Sequence, residues 1–160
     1  MLILSLVLMV LGVAADQALK YIVVENLKPD GVITAIPGLL NFIYVENRGA
    51  AFGVLDGFTT ALTIVTSICV VVVLFLMIFY QKHSFFSRAA AILIVSGGIG
   101  NLVDRFMLGY VVDYIQVSFF PPVFNLADCF VVVGVILFLI HFLFFMEKDD
   151  GRERIIRGRR

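Results

Sequence analysis

Four long apolar runs, separated by short polar stretches, set the plan of this chain. The first extends from Met1 to Val24 and is interrupted only by Asp16, Gln17 and Lys20. The second has no charge between Asp56 and Lys82, which gives a span near Phe58 to Tyr80. The third starts at Ala89 and stays uncharged to Val103, and the fourth begins near Asn125 and ends at Met146. Crossing about 30 Å of hydrocarbon at about 1.5 Å per residue takes roughly 20 mostly apolar residues. Only helices or closed barrels satisfy every backbone group in lipid, so the pattern predicts four transmembrane helices. In the first run, "GVAADQ" has small residues suited to cleavage after Ala15, the mark of a signal peptide. No Lys or Arg precedes that run, however, and apolar character resumes at "YIVV", which favours a span.

Composition agrees with this plan. The 160 residues are 61% hydrophobic, well above the roughly 45–50% of soluble domains. Residues 1–147 read as one four-helix membrane domain and 148–160 as a basic tail. Formal net charge is zero, so placement matters more than the total. Lys82 and Arg88 lie between spans two and three, and the tail "EKDDGRERIIRGRR" adds Lys148, Arg152, Arg154, Arg157, Arg159 and Arg160. By the positive-inside rule both termini are cytoplasmic. Connections near residues 25–57 and 105–123 then face outside. The tail is explained by topology beside anionic lipid, and no nucleic-acid partner is expected. Cys69 and Cys129 sit in apolar runs and read as small buried residues.

The first outer connection mixes turn signals with a β-like stretch, "LLNFIYV". It predicts a small β-rich extracytoplasmic platform lying on the membrane. The expected fold is therefore an all-α membrane protein, four transmembrane helices with that platform. The second connection is short and aromatic, and its Pro121 and Pro122 suit the approach to a helix.

Ionisable groups within apolar spans are costly and mark functional candidates. Asp16 and Lys20 are four apart, on one helix face, and able to pair. A structural ion pair is as good an account of them as a functional one. Asn101, Asp104 and Arg105 end the third span, with Asn101 on the same side as both. Asp104 with Arg105 can simply mark the membrane boundary. "SGGIGN" lacks the phosphate-loop pattern, so Gly97, Gly98 and Gly100 are expected to serve close helix packing. Gly49 and Gly53 in "GAAFG" lie outside the spans. His141 and His83 have no partner at metal-ligand spacing, so neither a metal nor a cofactor is expected.

Asp113 lies in "GYVVDYIQV" and Asp128 opens the fourth span. Asn125 is a good N-cap, which puts Asp128 at N3, where a helix dipole favours negative charge. A purely structural cap would look the same. The second acid in the same connection, with no basic residue between them, raises Asp128 above that account. Two close carboxylates do not both ionise easily, so one keeps a proton near neutral pH. Such a pair can hydrolyse an amide without a metal. Asp128 is expected to act as the base and Asp113 to carry the proton, although the two titrate as a unit.

"DQALK", "ENRGAAFG", "GGIGNLVDR", "VVDYI" and "FNLADCF", in this order, resemble the lipoprotein signal peptidases (signal peptidases II) of bacteria. The likeness covers nearly the whole chain except the tail. It implies an aspartyl endopeptidase of the cytoplasmic membrane that cuts diacylglyceryl-modified prolipoproteins just before the lipidated cysteine. It places the catalytic aspartates on Asp113 and Asp128, and the supporting positions on Asp16, Lys20, Asn47, Gly49, Asn101, Asp104, Arg105, Asn125 and Ala127. Asn47, Asn101 and Arg105 are implied to contact substrate or position the loops around it, and Asp16, Lys20 and Asp104 to hold the site together. The resemblance also implies membrane lipid as a partner, no obligate protein partner, and sensitivity to the cyclic peptide antibiotic globomycin. A four-span exporter would instead carry an acid near mid-span, and an assembly factor would carry structural charges alone.

Overall fold

A computed structural model describes residues 2–28, 31–49, 59–79 and 84–146. Gly53, Lys82, His83 and the basic tail from Lys148 onward lie outside the described residues. Among the described residues four helices are long and apolar enough to cross a membrane: α1 (Leu2–Leu27), α2 (Thr59–Phe79), α3 (Phe85–Leu108) and α4 (Leu126–His141), the last as a span that continues to Phe144. A turn of π-helix, Phe142–Met146, follows α4. α1 runs unbroken through "AADQ" and three residues beyond Val24. Those last turns bury Val23 and Leu27 against Val112 and Tyr114 of the connection between the third and fourth helices.

α3 is longer than the Ala89–Val103 run predicts. Its start is fixed by a capping box: Ser84 accepts from the Ser87 backbone, and the Ser87 hydroxyl takes the Ser84 N–H. Its end is Gly109 at φ 79°, the left-handed residue that closes many helices. α3 packs on each of the other three helices, and its small residues allow this. A methyl group on Gly97 would lie 2.2 Å from the Ala127 carbonyl oxygen, and one on Gly98 would lie 2.5 Å from Val70. On Gly100 it would lie 2.5 Å from an Asp16 carboxylate oxygen. The expected close packing through these glycines is present. The helix core is Met9, Val70, Met77, Ala91, Val95 and Leu102.

Several polar side chains within the spans bond to backbone or to a neighbouring helix. Thr63 and Ser67 on α2 donate to carbonyls one turn back, at 2.7 and 2.8 Å. His141, solitary in the sequence, is hydrogen-bonded through Nδ1 to the Ser84 hydroxyl at 2.8 Å. This ties the end of α4 to the start of α3. The cysteine expectation needs correction: Cys69 is exposed and Cys129 half-buried. Both sit on apolar spans, where a small, weakly polar side chain is tolerated facing outward.

The β-platform draws on both connections, not the first alone. Strands β1 (Val32–Ile36), β2 (Leu40–Asn47), β3 (Val111–Val117) and β4 (Phe120–Phe124) form one antiparallel sheet in that order. Gly38, at φ 72°, makes the turn between β1 and β2. The second connection is thus a hairpin, and Pro121 and Pro122 lie within β4, which leads directly into the Asn125 cap of α4. β4 is an edge strand, where a missing N–H disrupts no ladder on its open side. Pairing of β2 with β3 sets Val45 opposite Asp113 and Asn47 opposite Val111. Asp113 therefore belongs to a strand. All of Val111 to Tyr114 is buried.

Candidate active site

The start of α4 is built as its sequence predicts. Asn125 is the N-cap and Asp128 stands at N3, and the two exchange hydrogen bonds. The Asp128 backbone N–H donates to Asn125 Oδ1 at 2.9 Å, and the Asn125 N–H donates to Asp128 Oδ2 at 3.2 Å. Because its oxygen is engaged by a backbone N–H, the Asn125 amide must turn its NH2 the other way. That NH2 reaches Asp113 Oδ1 at 2.7 Å. One asparagine thus touches both acids.

Asp113 receives a second donor across the sheet. Asn47 and Asp113 are diagonal neighbours on one face, and Asn47 Nδ2 donates to Asp113 Oδ2 at 2.8 Å. The Gly49 N–H holds Asn47 Oδ1 at 3.1 Å, which orients that amide too. Asp128 Oδ1 accepts from Asn101 Nδ2 at 2.8 Å. All four carboxylate oxygens of the two acids are therefore hydrogen-bond acceptors. Asp113 is 1% exposed. Burial pushes its carboxyl up to about 7, the charge of Asp128 adds to this, and the bonds from Asn47 and Asn125 oppose it.

Behind the pair lies an ionic cluster that joins three helices to the sheet. Lys20 Nζ is 2.9 Å from Asp16 Oδ2 and 2.9 Å from Asp104 Oδ2. Asp16 Oδ1 accepts the Ala127 N–H at 3.0 Å, and Asp104 Oδ2 accepts the Val112 N–H at 3.0 Å. These two carboxylates thereby fix the residue before Asp128 and the residue before Asp113. The cluster is fully buried, and its charges are both paired and hydrogen-bonded, as burial demands.

Residues 8–144 match the family model described as Signal peptidase (SPase) II. The chain belongs to the signal peptidase II family. It is 42% identical to a lipoprotein signal peptidase of Caldanaerobacter subterraneus subsp. tengcongensis, over 83% of this chain and 91% of that one. It is 40% identical to the lipoprotein signal peptidase of Clostridioides difficile, over 91% and 99% of the two chains. Among solved structures, a bacterial membrane enzyme determined by the in meso method at 2.3 Å superposes with a TM-score of 0.80 at 34% identity, covering 87% of each chain. Four membrane-capable helices together with this likeness make it a bacterial membrane protein.

Within this signal peptidase II fold, every site residue singled out in the sequence falls in or beside one connected region. Asp16, Lys20 and Asp104 form the ion cluster. Asn47, Asn101 and Asn125 face the two acids, Gly49 orients Asn47, and Ala127 offers its backbone to Asp16. Arg105 is half-buried, and its side chain makes no hydrogen bond or ion pair among the described residues. It lines a cavity of about 350 Å³ between α2, α3 and α4, together with Asn101 and Asp128. The rest of that wall, including Val65, Val70 and Val131, is mostly apolar, with Thr66 and Cys69 from α2 among it.

Two contributors escaped the sequence reading. Gln17 donates to Asp104 Oδ1 at 2.9 Å and to the Gly100 carbonyl at 3.1 Å. Its position beside Asp16 in an apolar helix was the available signal. Tyr114 accepts the Leu126 N–H at 3.2 Å and so caps the first turn of α4 from the sheet. Alternation along β3 places it away from Asp113, and nothing local marked it.

Proposed function

We propose that this chain is a membrane aspartyl endopeptidase that removes signal peptides from diacylglyceryl-modified prolipoproteins, cutting before the lipidated cysteine. Asp113 and Asp128 are its catalytic pair. The observation that carries this reading is the doubly bonded Asn125, with its side chain on Asp113 and its backbone on Asp128. Both acids are thereby gathered around one residue at the mouth of α4. Family membership and the curated relatives' name, lipoprotein signal peptidase, support the substrate class.

The reaction follows from the two environments. Asp128, at a helix N-terminus and ringed by donors, is suited to be the carboxylate. Asp113, buried and raised to about 7, keeps a proton near neutral pH. Asp128 takes a proton from water as its oxygen attacks the scissile carbonyl carbon. Asp113 gives its proton to the carbonyl oxygen, producing a tetrahedral diol. On collapse, Asp128 passes its proton to the departing nitrogen, the C–N bond breaks, and Asp113 recovers a proton from the diol. Both acids are then ready for the next turnover.

The apolar cavity beside Asp128 suits the apolar segment that precedes a lipidated cysteine, and Arg105 can meet a carbonyl or headgroup oxygen there. The basic tail and Lys82 imply cytoplasmic termini, which puts the sheet and the acids on the extracytoplasmic side of the inner membrane. Globomycin, a cyclic peptide, would compete for the same cavity. The test uses the purified chain in detergent with a synthetic diacylglyceryl prolipoprotein peptide. Wild type should release the signal peptide, and Asp113→Asn and Asp128→Asn should each lose more than about a hundredfold in rate. Full cleavage by either variant would end the reading.

A further inference from the structure

Lys20 has three N–H donors and three acceptors around it, each at hydrogen-bond distance. These are Asp16 Oδ2 at 2.9 Å, Asp104 Oδ2 at 2.9 Å and Asn101 Oδ1 at 3.0 Å. An ammonium group donates and never accepts. Whatever atom of Asn101 faces Lys20 must therefore be its carbonyl oxygen, and its NH2 must face the other way, onto Asp128 Oδ1 at 2.8 Å. Asn125 Nδ2 also approaches Asn101 Oδ1, at 3.1 Å, but has Asp113 Oδ1 at 2.7 Å and the Val112 carbonyl at 3.4 Å as further acceptors. With two hydrogens for three acceptors, it is a weaker pin. Asn47 and Asn125 are oriented by backbone N–H groups, as described above. Asn101 alone of the three is oriented by a charged side chain.

We propose that Lys20 is a positioning residue of the peptidase, which fixes the direction of the Asn101 amide and through it keeps Asp128 a hydrogen-bond acceptor. This rests on the catalytic reading of Asp128. A reversed Asn101 would present its carbonyl to Asp128 Oδ1, an arrangement satisfied only when Asp128 carries a proton there. In that form Asp128 is unable to take a proton from water. Lys20 thus acts on the division of labour between the acids from a distance, without touching either. The other titratable or charged groups around Asp128 are Arg105 and Asp104 on α3, Asp113 and Tyr114 on β3, Asp16 on α1 and Cys129 on α4. α2 contributes Cys69 to the adjoining cavity.

The test compares pH profiles of kcat/KM for wild type and Lys20→Met/Asp104→Asn. The paired substitution leaves the formal charge of the Lys20, Asp16 and Asp104 cluster at −1, and the amide oxygen introduced at position 104 still offers an acceptor to the Val112 N–H. With no donor at position 20, the acid limb should move up by about one pH unit, the scale of one hydrogen bond to a charged group. A limb that stays in place while the variant cleaves, however slowly, would reduce Lys20 to a support of the fold and overturn the proposal. Asn101→Leu, isosteric and uncharged, gives an independent check if the double variant does not fold. Its acid limb should move in the same direction, and a profile that overlays wild type would overturn the proposal equally. Absence of cleavage by wild type, or full activity in Asp113→Asn or Asp128→Asn, would instead remove the peptidase reading itself.

Discussion

Gly97→Ala tests whether the separation of α3 and α4 sets the site. The added methyl would stand 2.2 Å from the Ala127 carbonyl oxygen and 2.9 Å from Val131 Cγ2, where ordinary contact begins near 3.4 Å. The obstacle is backbone, so rotating a side chain gives no relief. The helices must part by about 1.2 Å (3.4 less 2.2). Asn101 lies one turn beyond Gly97, and Asp128 follows Ala127. The same displacement would stretch the 2.8 Å bond from Asn101 to Asp128 to about 4 Å, past the useful range. Overpacking of this kind costs about 1–3 kcal/mol of stability. A misplacement of about 1 Å at reacting groups can cost about a hundredfold in rate. The assay is cleavage of the lipidated peptide, with kcat and KM separated, beside thermal unfolding in the same detergent. Gly109→Ala is the control. Gly109 has φ 79° and nothing within 4 Å of its would-be methyl, so it should lose about 1 kcal/mol or more to backbone strain and keep its kcat. A Gly97→Ala enzyme that is destabilised yet turns over at the wild-type rate would refute the link between helix packing and the acids.

Three further outcomes follow from the buried charges. The folded Asp113 carboxyl lies at about 7 against an ordinary 3.8, so the folded state holds its proton more tightly than the unfolded chain. Its contribution to stability is complete below the unfolded value and is lost as pH rises through about 7. Thermal midpoints should therefore fall between pH 5 and pH 8 in wild type, and this slope should flatten in Asp113→Asn. The same group should give kcat/KM an alkaline limb near pH 7, and Asn47→Ala, which removes a bond that favours the charged form, should move that limb upward. Lys20→Met alone leaves Asp16 and Asp104 buried without a counter-charge and should cost about 3–5 kcal/mol in denaturant or thermal unfolding. The balanced Lys20→Met/Asp104→Asn variant should lose clearly less.

Legibility in the sequence tracked how local each cause was. The spans could be read because about 20 apolar residues in a row admit few other structures. The Asn125–Asp128 capping box could be read because its partners are three residues apart. The polar positions in apolar runs, Asp16, Lys20, Asn101 and Asp104, could be singled out because burial makes each one costly unless paired. Their partners were only half visible. The i, i+4 spacing suggested Lys20 with Asp16, but Asp104 completes the cluster from a helix 84 positions further on, between Lys20 and Asp104. The hairpin of β3 and β4 was missed for a related reason. Two adjacent prolines argue locally against a strand, and only the sheet order puts them on an open edge, where that objection lapses. The position of Asp113 depends on the same long-range fact. Pairing of β2 with β3 brings Asn47 onto its carboxylate, from 66 residues away in the chain. A sequence thus announces the groups that cannot be left alone in a membrane, and the packing decides which of them meet. Here Asn47 and Asn125 have their oxygens held by backbone N–H groups two and three residues along the chain, whereas the direction of the Asn101 amide is set by Lys20 from another helix and is a consequence of the fold.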